Sequence, residues 1–405
     1  MTPHSSRKQL LIALCCFIGL ALLALYWPLF NMTTSLTGDI PTDYFHFHWN
    51  FWWIRHALAT GHTIYETNYV LYPYTSSLAY HTLTVFWYPL WALIEPFFGT
   101  VPAMTVIFVA NYILCGFSFY LLLRHEGVSP ALSLVGGAML ELAPVMRNGT
   151  YWTNINLMGW FWLPLLLLTW SELARMVDKK SWRYALLFAL LLGLTFWAMI
   201  LDDLQYPIFA LFLLIPYGLL KLWQMHDWSS RARLVGYGIF SVALALVLLW
   251  FIGPLKYLLS YDKTGLSPTP ADRAVHILFP EGFISHLPKD VSVGSVLLPL
   301  ILIALVLGFW ARGRGMSRMR WFWLALVITP LLLSAGASIT IGDTQIPMPY
   351  ALFHNLFGGM FRYPERFEAV FLIPAVLFAM MTLTPLLAKR RVWRVLIPMG
   401  LFVLV

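Results

Sequence analysis

Two acidic residues lie close together soon after the first apolar run of the sequence. They are Asp39 and Asp43, in Thr37-Gly38-Asp39-Ile40-Pro41-Thr42-Asp43. A carboxylate just above a lipid bilayer can accept a proton from a sugar hydroxyl, or bind a divalent cation through its oxygens. The alternative is that Asp39 is a turn residue and that Asp43 caps a helix.

Two arginines form a second candidate group in Phe361-Arg362-Tyr363-Pro364-Glu365-Arg366-Phe367. Arg362 and Arg366 lie four apart at the start of an apolar run, so both side chains face one side if this turn is helical. The planar guanidinium group suits phosphate because it donates two parallel hydrogen bonds. Alternatively, the arginines extend from a helix end to the membrane surface, or pair with Glu365 and Glu368.

Further candidates are acids and a histidine in other connections. Asp202 and Asp203 lie between two apolar runs with almost no connecting chain, which places them near the membrane surface. Charged groups at that depth are costly and often functional, so we predict an acceptor or metal contact there. A solvated turn is the alternative. Glu281 and His286 are candidates for the same role.

Histidine and cysteine spacing argues against two other kinds of site. His46 and His48 are two residues apart, so on a helix they point to different sides and are poorly placed to share a metal ion. Cys15, Cys16 and Cys115 all lie within apolar runs. They have neither zinc-site spacing nor a disulfide framework, and we interpret them as thiols in the membrane core.

The composition is that of a membrane protein. The 405 residues are 60% hydrophobic and 11% charged, with a mean hydropathy of +0.73. Soluble domains carry roughly 25% charged residues, so lipid must be the solvent for most of this chain. The net charge of +8 resides in short loops between apolar runs, which argues against a nucleic-acid partner.

Eleven apolar runs predict an all-α, polytopic transmembrane helical bundle with about eleven spans. The runs are Leu10–Phe30, Val101–Leu123, Ala131–Met146, Leu157–Ala174, Tyr184–Leu201, Tyr206–Leu222, Leu234–Leu258, Val293–Ala311, Trp321–Ser338, Phe367–Ala388 and Val392–Val405. The first run is too long for a signal peptide, so we interpret it as an uncleaved span. The last run is short and ends without polar residues, so we expect the native chain to continue past Val405.

The distribution of charge predicts the orientation. Most of the 26 Lys and Arg residues fall in alternate short loops if the N-terminus is cytoplasmic and Leu83–Phe98 does not cross the membrane. These loops are then cytoplasmic, as the positive-inside rule requires. We therefore interpret Leu83–Phe98 as an interfacial or re-entrant helix. The long loops Asn31–Thr82, Ser260–Ser292 and Ile339–Arg366 lie on the outer face.

The first outer loop, residues 31–82, contains a predicted interfacial helix. From Tyr44 to Leu58, apolar and aromatic residues recur at helical spacing, with Asp43 as the expected N-cap. Gly61 is expected to end this helix. An aromatic helix that bears histidines suits a membrane interface.

This order of parts resembles the GT-C superfamily of polytopic glycosyltransferases, which includes the protein O-mannosyltransferases and the lipid A aminoarabinose transferases. The matching stretches are Gly38-Asp39, Thr42-Asp43-Tyr44, the Trp49–Leu58 helix, and Tyr72-Pro73 with His81. The Arg-x-Pro-x-Arg-Phe pattern that begins at Arg362 is similar to one found before a late span in bacterial GT-C-like proteins. The likeness covers most of the chain by topology, and two short stretches by motif.

The resemblance implies a single GT-C-like domain over residues 1–405 and a polyprenyl-phosphate sugar donor. It implies that Asp39, or second Asp43, is the catalytic base, and that Arg362, Arg366 and Tyr363 bind the donor phosphate. Family members often carry an acid in the second outer loop, but Arg147–Asn156 has none, and Glu141 precedes it inside the membrane. The need for a divalent cation such as Mg or Mn is therefore open.

The sequence therefore predicts an inverting glycosyltransferase that works on the non-cytoplasmic face of a bacterial inner membrane, with membrane lipid around it. The alternative is a transporter or flippase of lipid-linked substrates, which would carry ionisable residues in mid-span or inverted repeats. A non-enzymatic role in assembly is a third possibility. The sugar, the acceptor and the oligomeric state are not indicated by the sequence.

Overall fold

The computed structural model describes most of the chain. The described residues are 6–37, 42–151, 153–260, 293–310, 318–334, 336–341, 344–357, 361, 363–388 and 393–404. The chain divides into two compact units, which are built from alternating segments of the sequence. The first unit comprises Met1–Leu20, Leu114–Arg147 and Thr264–Val405, and the second comprises Ala21–Ile113 and Asn148–Lys263.

Helices dominate both units. In chain order they are α1 (Arg7–Ala24), α2 (Tyr26–Asn31), α3 (Thr42–Thr60), α4 (Tyr88–Phe98), α5 (Thr100–His125), α6 (Pro130–Glu141), α7 (Pro144–Tyr151), α8 (Trp162–Asp178), α9 (Trp182–Asp202), α10 (Tyr206–Gln224), α11 (Trp228–Ile252), α12 (Leu255–Ser260), α13 (Val293–Trp310), α14 (Met319–Ser334), α15 (Pro349–Leu356), α16 (Phe367–Leu387) and α17 (Trp393–Leu404). Short 3₁₀ turns lie at Val85–Trp87, Ile155–Met158 and Pro364–Arg366. Two antiparallel hairpins pair β1 (Glu66–Thr67) with β2 (Ser76–Ser77) and β3 (Ser338–Ile341) with β4 (Thr344–Pro347).

The all-α, polytopic membrane architecture is confirmed. Within the described residues, six helices are long and apolar enough to cross a bilayer, namely α1, α5, α9, α10, α11 and α16. Each of the other five predicted runs also coincides with a helix, of between 12 and 18 residues. A full span takes about 20 apolar residues. The count of about eleven spans therefore stays a prediction.

The segment Leu83–Phe98 forms a 3₁₀ turn followed by α4, which has 11 residues. A helix of that length extends over roughly 16 Å, about half the hydrocarbon thickness of a bilayer. Its Trp87 and Trp91 are buried, and α4 packs against α3. These dimensions support the interpretation that the segment does not cross the membrane.

The predicted helix in the first outer loop is present as α3. It begins one residue before Asp43, which lies in its first turn rather than at the N-cap position. Gly61 follows its end with a φ of +72°, a left-handed conformation that favours glycine. Trp53 and Ala57 of α3 form a buried hydrophobic cluster with three residues that follow the helix, Tyr65, Leu78 and Leu83.

In the second unit, α9 packs between α8 and α11, and α10 packs against α8. The close contact of α9 with α11 depends on small residues. The Ser241 hydroxyl donates to the Ala189 carbonyl over 2.8 Å, and a Cβ at Gly193 would lie 2.8 Å from the Ser241 carbonyl oxygen. Small side chains allow helix backbones to approach closely in membranes, where apolar surface alone gives little drive to associate.

In the first unit, α16 is the central helix. It packs against α13, α14 and α6, and it is buried along most of its length. The 3₁₀ turn Pro364–Arg366 leads directly into it, while β3 and β4 form a hairpin between α14 and α15. The residues that precede α16 are therefore held at the entry to the best-packed helix of this unit.

Candidate functional site

The predicted site residues fall into three groups. Some lie outside the described residues: Asp39, Arg362, Glu281 and His286. Others belong to the second unit: Asp43, Asp202 and Asp203. Tyr363 and Arg366 belong to the first unit. Their predicted roles as base, phosphate ligands and acceptor contacts stay predictions, and the geometry of the described members can be built up unit by unit.

Asp43 is exposed in the first turn of α3. A negative charge at this end of a helix is favourable because the first N–H groups point toward it. Its carboxylate is also close enough to His46 to raise the pKa of that imidazole in part, although burial, the larger effect, lowers it. Asp43 is thus both a helix-start residue and the acid nearest to a histidine cluster.

That cluster consists of His46, His81 and Asn50. The two imidazole rings stack with centroids 4.3 Å apart. Asn50 donates from Nδ2 to the carbonyl of Thr82 over 2.8 Å, so its Oδ1 is the acceptor that faces His81 Nε2 at 2.9 Å. His81 therefore carries its proton on Nε2. Burial and the neighbouring His46 lower the pKa of His81 to about 4, so the ring is neutral at pH 7.

His48 lies on a different side of α3, as its spacing from His46 predicts. Its Nδ1 is 2.5 Å from the Thr100 hydroxyl oxygen, which also accepts a hydrogen bond from the Trp91 indole over 3.0 Å. Burial lowers the pKa of His48 to about 4. Among the described residues, His48 Nε2 and the adjacent Tyr44 hydroxyl are buried without a hydrogen-bond partner. Such atoms are uncommon and often mark functional sites.

An ion pair that the sequence did not reveal ties α3 to α4. Arg55 Nη1 lies 2.7 Å from Glu95 Oε2, and the guanidinium carbon sits 4.4 Å from the centroid of the Trp91 ring. Both charged side chains are partly exposed, so the ion pair alone contributes little stability. The two residues are 40 positions apart, and only the antiparallel folding of the loop brings them together. This contact helps to hold the loop helix that carries Asp43.

Asp202 and Asp203 are buried, at 1% and 3% exposure, so they are not solvated turn residues. Asp203 accepts from Asn156 Nδ2 over 2.6 Å and from the Gln205 backbone N–H over 2.7 Å. Asp202 Oδ2 accepts from the Trp162 indole over 2.8 Å. The two carboxylates thus join the end of α9 to the start of α8, the start of α10 and the turn Ile155–Met158.

The surroundings of Asp202 are tight. A Cβ at Gly159 would lie 2.3 Å from Asp202 Oδ2 and 2.9 Å from Tyr206 Cε2. The Trp87 indole also lies near this carboxylate and interacts with it electrostatically. Within the described chain, however, neither Asp202 Oδ1 nor Trp87 Nε1 meets the distance and angle criteria for a hydrogen bond. A buried carboxylate at the C-terminal end of a helix is disfavoured by both desolvation and the helix dipole. Asp202 is therefore a costly feature that the fold retains.

Aromatic side chains surround this acid on the side of the first outer loop. The Phe86 and Trp162 rings meet edge to face with centroids 4.8 Å apart, and the Trp87 and Phe161 rings are 6.2 Å apart. The predicted acceptor site therefore combines carboxylates with aromatic rings. No group of three His, Cys, Asp or Glu side chains able to hold a metal ion occurs among the residues that the structure describes.

Arg366 and Tyr363 contact each other in the first unit. The Arg366 guanidinium carbon lies 4.8 Å from the centroid of the Tyr363 ring, in a cation–π arrangement. Tyr363 itself is not helical, and only Pro364–Arg366 form a 3₁₀ turn. The stretch from Tyr363 to Arg366 is therefore not α-helical, while Arg362 lies outside the described residues. Proline at position 364 disfavours the α conformation at the residue before it.

Glu141 is a buried acid at the end of α6 in the first unit, as its position inside an apolar run suggests. It is fully buried, and neither carboxylate oxygen has a hydrogen-bond partner in the described part of the chain. A Cβ at Gly116 would lie 2.7 Å from Glu141 Oε2, so α5 and α6 pack directly over it. No catalytic role follows from this enclosed position.

Comparisons with known proteins bear on the fold. No protein-family model matches the sequence, and no curated protein matches it. Among solved structures, the chain is similar to the arabinofuranosyltransferase AftD from Mycobacteria, determined by single-particle cryo-EM. The TM-score is 0.59 at 12% sequence identity, over 100% of this chain. The chain therefore shares its fold with that arabinofuranosyltransferase.

The predicted GT-C resemblance is thereby confirmed at the level of the fold. The chain spans only 26% of the length of that neighbour. An identity of 12% shows architecture and does not carry over a substrate or a residue role. The six apolar helices long enough to cross a bilayer, together with this fold, support an integral membrane protein.

Proposed function

We propose that this chain is a membrane glycosyltransferase that moves a sugar from a polyprenyl-phosphate donor to an acceptor hydroxyl on the non-cytoplasmic face of a bacterial inner membrane. The observation that carries the proposal is the likeness over the whole chain to an arabinofuranosyltransferase fold. The predicted site residues add chemical support, because they supply an acid for proton transfer and cations for a phosphate. A pentose such as arabinofuranose is accordingly the first donor sugar to test.

The proposed reaction is a single displacement with inversion at the anomeric carbon. The acceptor oxygen forms a bond to C1 of the sugar while the bond from C1 to the phosphate oxygen breaks. The acceptor proton passes to Asp39, with Asp43 as the second candidate base. Arg362 and Arg366 stabilise the charge on the departing polyprenyl phosphate. This scheme has no step through a metal ion, and a requirement for Mg or Mn stays open.

The described residues support positioning roles around this chemistry. The loop helix α3 carries Asp43 in its first turn, and the ion pair of Arg55 with Glu95 connects α3 to α4 about three turns further along. Burial lowers the pKa of His46, which lies near Asp43, and burial with the neighbouring His46 lowers the pKa of His81 to about 4. A histidine with a lowered pKa is a weaker base, so we propose a carboxylate as the base. Asp202 and Asp203 are proposed as contacts that shape the acceptor side.

The first test is the variant Asp39→Asn, which keeps the side-chain size and removes the base. The purified full chain is reconstituted in proteoliposomes with a set of radiolabelled polyprenyl-phosphate sugars that includes arabinofuranose. We expect transfer to an added glycan acceptor to fall by roughly 10²- to 10⁴-fold, the usual contribution of a general base. Thermal unfolding in detergent shows whether the variant is folded.

Two matched variants and one further assay complete this test. Glu66→Gln changes an exposed acid in the same loop and should leave transfer unaltered. If Asp39→Asn retains full transfer and Asp43→Asn loses it, the base is Asp43. If the wild-type chain releases no glycosylated product but moves the lipid-linked sugar between leaflets, the flippase alternative replaces the transferase.

A further inference from the structure

An apolar groove of about 560 Å³ lies among α8, α9, α10 and α11 in the second unit. Its lining contains no charged side chain and includes Trp170, Phe196, Leu219, Ile239 and Leu246. Three of the four contributing helices are candidate spans, and the fourth, α8, coincides with a predicted apolar run. The groove is therefore a recess for hydrocarbon and not a site for a polar substrate.

Trp170 gives the groove a rigid wall. The indole lies against two glycines, since a Cβ at Gly238 would be 3.1 Å from Trp170 Cζ3 and one at Gly218 would be 3.5 Å from its Nε1. Because glycine has no side chain, the indole packs directly against α10 and α11, and the groove stays open beside it. Ala243 lies in the groove and is exposed, so a larger apolar side chain there would enter the space without displacing neighbours.

The groove runs toward the basic end of these helices. It is lined by the C-terminal half of α10, from Leu214 to Leu222, and by α11 between Val235 and Leu246. Lys221, Arg231 and Arg233 lie at this end, with Asp227 as the nearby acid. The positive-inside rule places this end in the cytoplasm. An anionic group at the mouth of the groove would therefore meet an excess of positive charge.

Two of these basic groups are held in place at that end. The Lys221 ammonium lies 4.7 Å from the centroid of the Tyr217 ring. Arg231 donates from Nε and Nη2 to the Met225 carbonyl, over 3.0 Å and 2.7 Å. Arg231 also precedes Val235 by four residues on α11, so it lies on the helix face that lines the groove. Lys221 directly precedes Leu222, which lines the groove, so both basic groups lie within about one helical turn of a lining residue.

We propose that this groove binds an acyl chain of an anionic phospholipid from the cytoplasmic leaflet, with its phosphate beside Lys221 and Arg231. An acyl chain suits this groove because the lining is apolar throughout and basic groups lie close to one of its ends. Basic pockets between membrane helices on the cytoplasmic side are typical sites for anionic lipid headgroups. The site is at the opposite end of the spans from the proposed donor phosphate, and it does not depend on the proposed function.

Native mass spectrometry of the full chain tests the proposal. The protein is released from nanodiscs of equal parts phosphatidylglycerol and phosphatidylcholine, and the mass of retained lipid is measured. We expect one phosphatidylglycerol to be retained in preference to phosphatidylcholine. Ala243→Phe should abolish this retention by filling the recess, and Lys221→Gln should reduce the preference about fivefold, the usual effect of one basic residue near a headgroup.

Each variant has a matched control. Ile252→Phe introduces the same ring at an exposed position of α11, six residues beyond the last residue that lines the groove. Lys256→Gln removes a lysine whose ammonium also lies 4.7 Å from a tyrosine ring, beyond the other end of α11. Both should retain phosphatidylglycerol like the wild type. Equal retention of the two phospholipids, retention of polyprenyl phosphate in their place, or full retention by both Ala243→Phe and Lys221→Gln would each overturn the proposal.

Discussion

At the scale of single residues, the contact between Gly159 and Asp202 shows how closely the buried acids are held. Asp202 is held by its hydrogen bond from Trp162, and a Cβ at Gly159 would meet both its carboxylate and the ring of Tyr206. We predict that Gly159→Ala lowers the free energy of unfolding by about 1–3 kcal/mol, the usual cost of overpacking a tight interior. Thermal unfolding in detergent micelles measures this change.

The matched control for that prediction is Gly236→Ala. A Cβ at Gly236 meets nothing within 4 Å, and the residue lies inside α11. Alanine is the better helix former, so this substitution should raise stability by roughly 0.5–1 kcal/mol. If both substitutions changed stability equally, the close packing around Asp202 would not be the cause.

The sequence showed that Asp202 and Asp203 are unusual but not how they are held. Two acids in a connection with almost no loop are equally compatible with a solvated turn and with a buried anchor. The choice depends on Asn156 and Trp162, which come from 47 and 40 positions earlier in the chain than their partners. By contrast, the non-helical conformation of Tyr363 follows from the proline after it and was predictable from local chemistry.

At the scale of elements, α3 and the loop after it pack around a hydrophobic cluster, with histidines largely buried beside it. Burial lowers the pKa of His48 and His81 to about 4 from an ordinary value of 6.5, and it lowers the pKa of His46 as well. Below pH 6.5 the unfolded chain then binds more protons than the folded chain. The stability that these buried neutral histidines contribute is therefore complete above about pH 6.5, and this contribution is lost as the pH falls toward 4.

The predicted pH dependence is measured by thermal unfolding in detergent at pH values between about 7 and 5. We expect the unfolding temperature to fall over this range and the slope to decrease in His81→Gln, which keeps an N–H donor for Asn50 but does not titrate. His62→Gln, at an exposed position in the same loop, should leave the slope unchanged. An equal slope in wild type and His81→Gln would contradict the assignment.

Element boundaries in this loop were accessible from the sequence, and the tertiary contacts were not. The helical periodicity from Tyr44 to Leu58 and the breaker Gly61 predicted α3 to within a few residues. Periodicity gives the type and extent of an element because it depends only on neighbours along the chain. The stacking of His46 on His81 and the pair of Arg55 with Glu95 depend on how the loop turns back on itself.

At the scale of the whole molecule, the sidedness of the loops decides whether the proposed chemistry is possible. The apolar runs predicted the helices, and each run coincides with one. The charge bias predicted only their orientation. Which end of each helix faces outward still depends on the positive-inside rule, because helix length and hydropathy are the same in either direction. The first and third outer loops must share a face if Asp39 and Arg362 act on one substrate.

Labelling of single cysteines with a membrane-impermeant maleimide in intact spheroplasts tests this sidedness. In a variant without Cys15, Cys16 and Cys115, we expect Tyr72→Cys and Ile346→Cys to react from outside, because both positions are exposed in loops predicted to be external. Lys179→Cys and Trp228→Cys, in basic loops, should react only after the membrane is permeabilised. Reaction of Tyr72→Cys and Ile346→Cys from opposite faces would separate the predicted base from the predicted phosphate ligands, and no single outer site could then contain both.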